Sequence, residues 1–282
     1  MPNIRIALPL LLILALTSCS RLDLAYRNLD RLTLWWLDDY LDLTSTQKRW
    51  LEPQIQADLQ WHCRTQLPAY VDWFGEQQRL LALGPLQPEE IEAQFSVLNH
   101  ASRAIAERIT PSSVELLRGL SAEQMENLDQ RLEKDIQKLH EEYLEPPAQK
   151  QIATRVKRME KRLRPWFGSL SDAQQARVQE WAAQTNATTP IWIDNRQRWR
   201  DAFMAAVDTR AAKDFPQRLS NLIQQRDSLW TPAYRESFPD MQRKLAELLA
   251  DLLNGASDSQ RAHLLTRLGA LRDKIHSLDC QG

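Results

Sequence analysis

The stretch Trp35–Trp61 reads WWLDDYLDLTSTQKRWLEPQIQADLQW and contains a helix-start signal that recurs along the chain. Thr44 can accept a hydrogen bond from the backbone N–H three residues ahead, and the Gln47 side chain can reach back to the Thr44 N–H. This reciprocal arrangement, a capping box, predicts that a helix begins directly after Thr44. Leu51 follows Gln47 by four residues, so the two side chains lie on the same side of that helix.

The same helix-start pattern recurs three more times along the chain. The later caps are Ser121, Ser171 and Ser257, and a glutamine follows each of them after three residues. A leucine precedes the first three caps, whereas Ala256 takes that place in the fourth. The four starts are unevenly spaced, so they do not indicate a regular array of repeats. Because Ser/Thr-x-x-Gln is a common capping box, its recurrence by itself needs no functional explanation.

The composition predicts an all-α fold. The 282 residues include only seven glycines, strong helix formers dominate, and no sustained alternation of β-branched residues occurs. The capped and proline-bounded segments predict an irregular bundle of about 9–11 helices. Soft boundaries fall near residues 109–121 and 185–190, where Thr110-Pro111 and a polar loop interrupt the helical pattern. Neither is a long linker, so we expect one body, and a division into two lobes stays open.

Residues 1–18 have the features of a signal peptide. Arg5 supplies a short positive segment, and the apolar run over residues 6–16 is too short for a typical membrane-spanning helix. The run leads into LTSC at residues 16–19, which resembles the lipobox of bacterial lipoproteins. The resemblance implies that Cys19 becomes the mature N-terminus and carries a diacylglyceryl group and usually a further acyl chain. The alternative is a plain secretory signal with a chance cysteine.

A lipid anchor at Cys19 would hold the domain 19–282 on a membrane. Two or more acyl chains bind a bilayer stably, whereas one chain does not. Ser20 stands where inner-membrane lipoproteins of enteric-type bacteria usually carry aspartate, so we expect attachment to the periplasmic face of the outer membrane. The periplasm permits disulfides, but the sequence does not show whether the two remaining cysteines, Cys63 and Cys280, lie close together.

The sequence shows no catalytic or metal-binding pattern. The segment HEE at 140–142 lacks the second histidine of a zinc-protease helix, and no Gly-x-Ser-x-Gly, glycine-rich phosphate loop or CxxC motif occurs. The carboxylates of Asp38, Asp39 and Asp42 could bind a hard cation, but they lie between two predicted helices, where a structural role is expected. We therefore predict neither catalytic residues nor a cofactor, and an enzyme whose site is hidden from the sequence stays an alternative.

Two groups of residues are candidates for a binding surface. Residues 150–164 contain seven basic side chains against one glutamate. The candidates selected from this segment are Arg155, Arg158 and Arg162. Trp35 and Trp36 form the second group, since Trp and Arg are the residue types most enriched at binding hot spots. The simpler explanations are a solvated helix face for the arginines and core packing for the tryptophans. A formal net charge of −1 gives no general attraction to nucleic acid.

Short motifs give two resemblances to known proteins. The Leu-Ser/Thr-x-x-Gln blocks are similar to the L-T-x-x-Q motifs of the periplasmic stress proteins Spy and CpxP, over five-residue blocks only. A resemblance to an uncharacterised family of proteobacterial lipoproteins, a domain of unknown function, rests on the lipobox and on the segments YRNLD (26–30), WLDDY (36–40), LT (43–44), WH (61–62) and LPAY (67–70). This resemblance implies no known activity and no catalytic residues. Cys63 departs from the family pattern, in which arginine follows Trp-His.

These patterns lead us to expect a lipid-anchored, non-enzymatic protein of the bacterial envelope that binds polypeptides or envelope components in the manner of a holdase. Its partners would be the membrane, through the lipid anchor, and other proteins or anionic envelope polymers. Three alternatives stay open: a membrane-tethered foldase similar to the lipase chaperones, a structural envelope spacer, and the hidden enzyme. The sequence decides neither the ligand nor the oligomeric state.

Overall fold

Eleven α-helices make up most of the part of the chain that the computed structural model describes, which is residues 26–278 and 280. No strand occurs in that part, so the predicted all-α bundle is confirmed. In chain order the helices are α1 (Leu29–Leu41), α2 (Ser45–Thr65), α3 (Leu67–Leu83), α4 (Pro88–Arg118), α5 (Ala122–Tyr143), α6 (Ala148–Phe167), α7 (Asp172–Gln184), α8 (Thr189–Asp208), α9 (Phe215–Gln224), α10 (Pro232–Asn254) and α11 (Asp258–His276). Short 3-10 helices at Asn186–Thr188 and Arg226–Leu229 precede α8 and α10.

All four predicted capping boxes form. The hydroxyl of Thr44 accepts a hydrogen bond from the Gln47 N–H at 3.2 Å, and Oε1 of Gln47 accepts one from the Thr44 N–H at 2.9 Å. Ser121, Ser171 and Ser257 make the same pair of bonds with the glutamine three residues ahead. Each box starts the second of two consecutive helices that are joined by a short turn, and the four helix pairs are α1–α2, α4–α5, α6–α7 and α10–α11.

The glutamines of these boxes also join the four helix pairs two by two. The side-chain amides of Gln47 and Gln124 donate to each other's oxygen at 3.1 and 2.9 Å. Those of Gln174 and Gln260 do the same at 3.2 and 3.0 Å. All four amides donate in addition to a backbone carbonyl in the partner helix pair or in its turn. These hydrogen bonds connect helix pair α1–α2 to α4–α5 at one place and helix pair α6–α7 to α10–α11 at another.

Replacing Gln124 should show what one of these pairs contributes to stability. Its buried amide donates to the carbonyls of Leu41 and Asp42, both at 2.9 Å, and to Gln47. Gln124→Leu removes this donor from the carbonyls of Leu41 and Asp42, so we expect the free energy of unfolding to fall by about 1–3 kcal/mol. Gln130→Leu, at an exposed position of the same helix, is the matched control and should cost less than about 0.5 kcal/mol. Urea unfolding measures the stability of both variants. Equal unfolding midpoints for Gln124→Leu and Gln130→Leu would show that the Gln47–Gln124 pair does not stabilise the fold.

Two main apolar cores fill the body. The first lies between α1, α2, α5, α8, α9 and the C-terminal part of α4, and its fully buried residues include Val207, Phe215 and Leu219. The second lies between α3, α6, α7, α10 and α11 and includes Val178 and Leu248. The N-terminal part of α4 packs on α10. Helix α4 therefore runs from the neighbourhood of one core to the other.

Helix α4 corrects one expectation from the sequence. We expected Thr110-Pro111 to interrupt the helical pattern, but α4 continues through both residues to its end at Arg118. A proline removes one backbone hydrogen bond from a helix interior. Val114 and Leu117, just beyond it, are buried in the first core, and this burial offsets the lost bond. The boundary expected near 109–121 therefore falls inside a continuous helix and the tight turn after it.

Candidate functional site

The exposed large apolar side chains of the described residues concentrate on helix α1. Leu32, Trp35 and Trp36 are 50%, 69% and 38% exposed, respectively. They are spaced three and four residues apart, so they lie on one side of the helix. Leu83 and Val97, which are 71% and 47% exposed, lie singly on α3 and α4. We call Leu32, Trp35 and Trp36 the α1 face.

The opposite side of α1 is packed against the body. Leu34 and Leu37 pack on the first core. The Tyr40 hydroxyl donates to a carboxylate oxygen of Asp135 on α5 at 2.7 Å, and the Tyr40 ring centroid lies 5.1 Å from that of Trp36. Helix α1 therefore lies along the body, against α2 and α5. This packing holds the α1 face in a fixed orientation toward solvent.

The three aspartates near the end of α1 have separate partners. Asp38 accepts hydrogen bonds from Lys48 at 2.7 Å and from the backbone of the following turn, and the Lys48 bond lowers the pKa of Asp38. Asp39 forms an ion pair with Arg131 at 3.2 Å. Asp42 ends the helix with a left-handed φ of 47°, which aspartate tolerates better than most residues. These contacts shape the α1–α2 turn, and no metal-holding group of three or more ligands forms within the described residues.

Arg155, the first arginine selected from the basic segment, joins α6 to α7 and α8. Its guanidinium donates to the hydroxyl of Thr185 at 3.5 Å and to that of Thr189, and it lies 5.9 Å from the ring centroid of Trp181. Burial lowers the pKa of Arg155, although an arginine stays charged at neutral pH. The side chain is half-buried between three elements, and it connects them.

Arg158 is engaged in the same way, whereas Arg162 is exposed. Arg158 forms an ion pair with Glu142, and its guanidinium lies 4.3 Å from the ring centroid of Tyr143. This cation–π contact and the ion pair join α6 to the end of α5. Of the three arginines selected from the sequence, Arg162 alone is exposed to solvent.

Besides Arg162, the exposed basic residues of α6 are ones that the sequence analysis did not select. Helical periodicity places four basic residues on one side of α6. These residues, all exposed, are Lys150, Lys157, Lys161 and Arg164. None of the four forms an ion pair with a carboxylate of the described residues, whereas Arg158 does. We call them the α6 face. The same periodicity was readable in the sequence and would have separated them from Arg155 and Arg158.

A disulfide joins the C-terminal segment to α2. Cys63 and Cys280 are bonded, with their Cα atoms 5.5 Å apart, which answers a question that the sequence left open. Cys63 is buried together with Phe74 and Ile275 in a small core between α2, α3 and α11. Tyr26 packs on the same core. The first and last described residues of the chain therefore lie at one corner of the body.

Tyr26 and His62 hold this corner together. The Tyr26 hydroxyl donates to the carbonyl of Leu59 at 3.3 Å and lies 3.2 Å from Nδ1 of His62. The ring of Tyr70 meets that of His62 edge-on, with centroids 5.6 Å apart. Burial raises the pKa of Tyr26 to about 12 and lowers the pKa of His62 to about 4. These contacts attach the chain to α2 directly after residues 1–25.

Acidification should destabilise the protein through His62. Its folded-state pKa is about 4, whereas the unfolded side chain titrates near 6.5, so the unfolded state binds the proton first as the pH falls. Stability that is complete above pH 6.5 should therefore be lost between about pH 6.5 and 4, by about 3 kcal/mol. His62→Gln should remove most of this loss, and His100→Gln, at an exposed position, should retain it. Urea unfolding across this pH range measures the difference, and the same pH dependence in both variants would refute the assignment.

Cys19 and the signal peptide lie outside the described residues. The structure therefore places the candidate binding residues but not the predicted lipidation site. Among the helices that the structure does describe, none is both long enough and apolar enough to cross a membrane.

A protein family covers most of the described helices. Its model, described as a family of unknown function (DUF6279), matches residues 39–235, from the end of α1 into α10. This range includes the α6 face but begins just after Trp35 and Trp36. No curated protein and no solved structure matches the chain. The match spans more than half of the sequence and confirms the expectation of an uncharacterised domain. The chain therefore belongs to DUF6279, a protein family of unknown function.

Proposed function

We propose that this chain is a lipid-anchored, non-enzymatic protein of the bacterial envelope that binds polypeptides or envelope components in the manner of a holdase. The lipobox at residues 16–19 supports the anchor, and Ser20 supports the outer membrane. The Cys63–Cys280 disulfide supports an oxidising compartment, because disulfides persist in the periplasm and are rare in the cytosol. The three Leu-Ser/Thr-x-x-Gln capping boxes support kinship with the Spy and CpxP proteins, and the lipobox with the segments YRNLD (26–30) and WLDDY (36–40) supports kinship with proteobacterial lipoproteins.

The α6 face is the observation that carries the binding proposal. Its four exposed cations stand on one side of a single helix, in a protein with a formal net charge of −1. Many other surface arginines are paired with acids, as in Arg177–Asp251 and Arg218–Asp214. Unpaired cations on one surface attract carboxylate-rich segments and anionic polymers, and their aliphatic stems can cover apolar groups. The α6 face therefore suits segments of unfolded polypeptides that are both acidic and partly apolar.

The test of this function is the suppression of aggregation. We expect the soluble domain 20–282 to keep a thermally unfolding client protein in solution at a near-stoichiometric ratio. No nucleotide should be needed, because the proposal invokes binding alone. Light scattering measures the effect. Failure with several chemically different clients would remove the holdase function and leave a dedicated partner or a spacer role.

Charge reversal of the α6 face should weaken this suppression. Arg155 and Arg158 are left unchanged because their loss would disturb the packing of α6. The residues replaced by glutamate in the test variant are Lys157, Lys161 and Arg164. The control changes the net charge equally at exposed positions of other segments and replaces Arg64, Lys134 and Lys213. Equal behaviour of the two variants would show that the α6 face takes no specific part.

A further inference from the structure

We propose that the α1 face contacts the phospholipid bilayer to which the protein is anchored, so that α1 is a membrane-docking helix. This inference rests on the lipid anchor of the proposed function. It goes beyond that function because it names what covers Leu32, Trp35 and Trp36 in the cell. The α6 face then stays available to other partners.

The connection between the anchor and α1 is short. Tyr26 is fixed to α2 by its contacts with Leu59 and His62, and it follows Cys19 by seven positions. Seven residues span at most about 25 Å in any conformation. The α1 face begins only six positions after Tyr26, so it stays near the bilayer whatever path the intervening residues take. A short tether gives a high effective concentration, and even weak contacts are then occupied.

The side chains of the α1 face suit the surface of a bilayer. Tryptophan is enriched at the level of the lipid headgroups, where its ring is buried and its N–H is still hydrogen-bonded. Arg31 is exposed one helical turn before Trp35 and can pair with lipid phosphates. Asp39, one turn after Trp35, is already paired with Arg131 at 3.2 Å. Arg31 therefore favours an anionic surface, and the negative charge of Asp39 is neutralised by Arg131.

The support behind the α1 face also favours the bilayer over a variable client. The Trp36 ring is braced by Tyr40, which is held in turn by its hydrogen bond to Asp135. A braced aromatic ring cannot adapt readily to clients of different shape, but it suits a flat surface that is always present. The single exposed side chains Leu83 and Val97 are an ordinary feature of protein surfaces.

The test places a fluorophore on the lipidated full-length protein. Trp35→Cys and the control Leu83→Cys each introduce one reactive thiol, because Cys63 and Cys280 are bonded to each other and the Cys19 sulfur would carry the lipid. Both positions are well exposed, so both variants should fold. Each is labelled with an environment-sensitive fluorophore. It is then reconstituted into vesicles of phosphatidylethanolamine and phosphatidylglycerol, with and without a lipid that carries a quencher on its headgroup.

We expect the quencher lipid to reduce the emission at position 35 strongly and to leave the emission at position 83 unchanged. Equal quenching at the two positions, or none at position 35, would overturn the inference. Self-quenching that rises with protein density alone would place a second copy on the α1 face. Shielding that appears only with an unfolded client would place a polypeptide there. Either result would also overturn the inference.

These outcomes are separate from the test of the proposed function. If the protein carries its lipid and suppresses aggregation but shows no quenching at position 35, the proposed function stands and the inference of a docking helix fails. If the protein is isolated without any lipid, both the lipid anchor of the proposed function and the docking helix are refuted, because the tether of α1 to the bilayer depends on Cys19.

Discussion

Reduction of the Cys63–Cys280 disulfide should lower the free energy of unfolding by about 5 kcal/mol. The two cysteines are 217 residues apart, and a bond that closes so long a loop removes much of the conformational entropy of the unfolded chain. Domains are typically stable by only about 5–15 kcal/mol, so this loss would remove a large part of the total. The effect should be strongest at the corner where Tyr26 and the C-terminal segment meet α2.

Urea unfolding of the oxidised and the reduced protein measures this contribution directly. The double variant Cys63→Ser/Cys280→Ser is the matched control. It should unfold at the midpoint of the reduced protein and should not respond to a reductant. Coinciding midpoints for the oxidised and reduced wild type would show that the bond contributes nothing to stability.

Replacement of Cys19 by alanine should abolish stable attachment to the membrane. Each buried methylene of an acyl chain contributes about 0.8 kcal/mol to membrane binding, so the loss of all chains removes nearly the whole anchoring energy. The α1 face can then make only weak and reversible contact with the bilayer. We expect the variant to accumulate as an unprocessed or soluble form.

Incorporation of labelled palmitate, followed by pelleting of the membranes, tests this expectation. The wild type and the control Cys280→Ser should both take up the label and sediment with the membranes, whereas Cys19→Ala should do neither. Cys280→Ser also shows that the label does not report a different cysteine. A wild-type protein that takes up no label and stays in the supernatant would end the lipoprotein proposal.

The helix starts were predictable from the sequence because their determinants are local. Thr44 and Gln47 lie within one helical turn, and the bonds between them form wherever that turn forms. The bonds between Gln47 and Gln124 were not predictable, because they depend on how two helix pairs distant in sequence approach each other. Nothing local specifies which of the four boxes will meet. The pairing of Cys63 with Cys280 was out of reach for the same reason.

The basic helix α6 was predicted in part. Met159 and Leu163 are buried in the second core. They follow Arg155 by one and two helical turns, so the periodicity of the sequence places Arg155 near the side of α6 that packs on the body. The partners of Arg155 and Arg158 come from other helices, and no pattern within α6 identifies them. The exposure of the tryptophans of α1 could not be predicted from the sequence either. Trp35 fits a core or a surface equally well in the sequence, and only the packing of the neighbouring helices leaves it exposed.

We propose that this protein is an oxidised, lipid-anchored component of the bacterial envelope. Mass spectrometry of the full chain, isolated from the membranes of its own cells without a reductant, can detect both the lipid and the disulfide. We expect an N-terminal peptide that begins at Cys19 and carries acyl chains, together with a Cys63 peptide linked to a Cys280 peptide. An unmodified chain that still begins at Met1, with free thiols at Cys63 and Cys280, would contradict it.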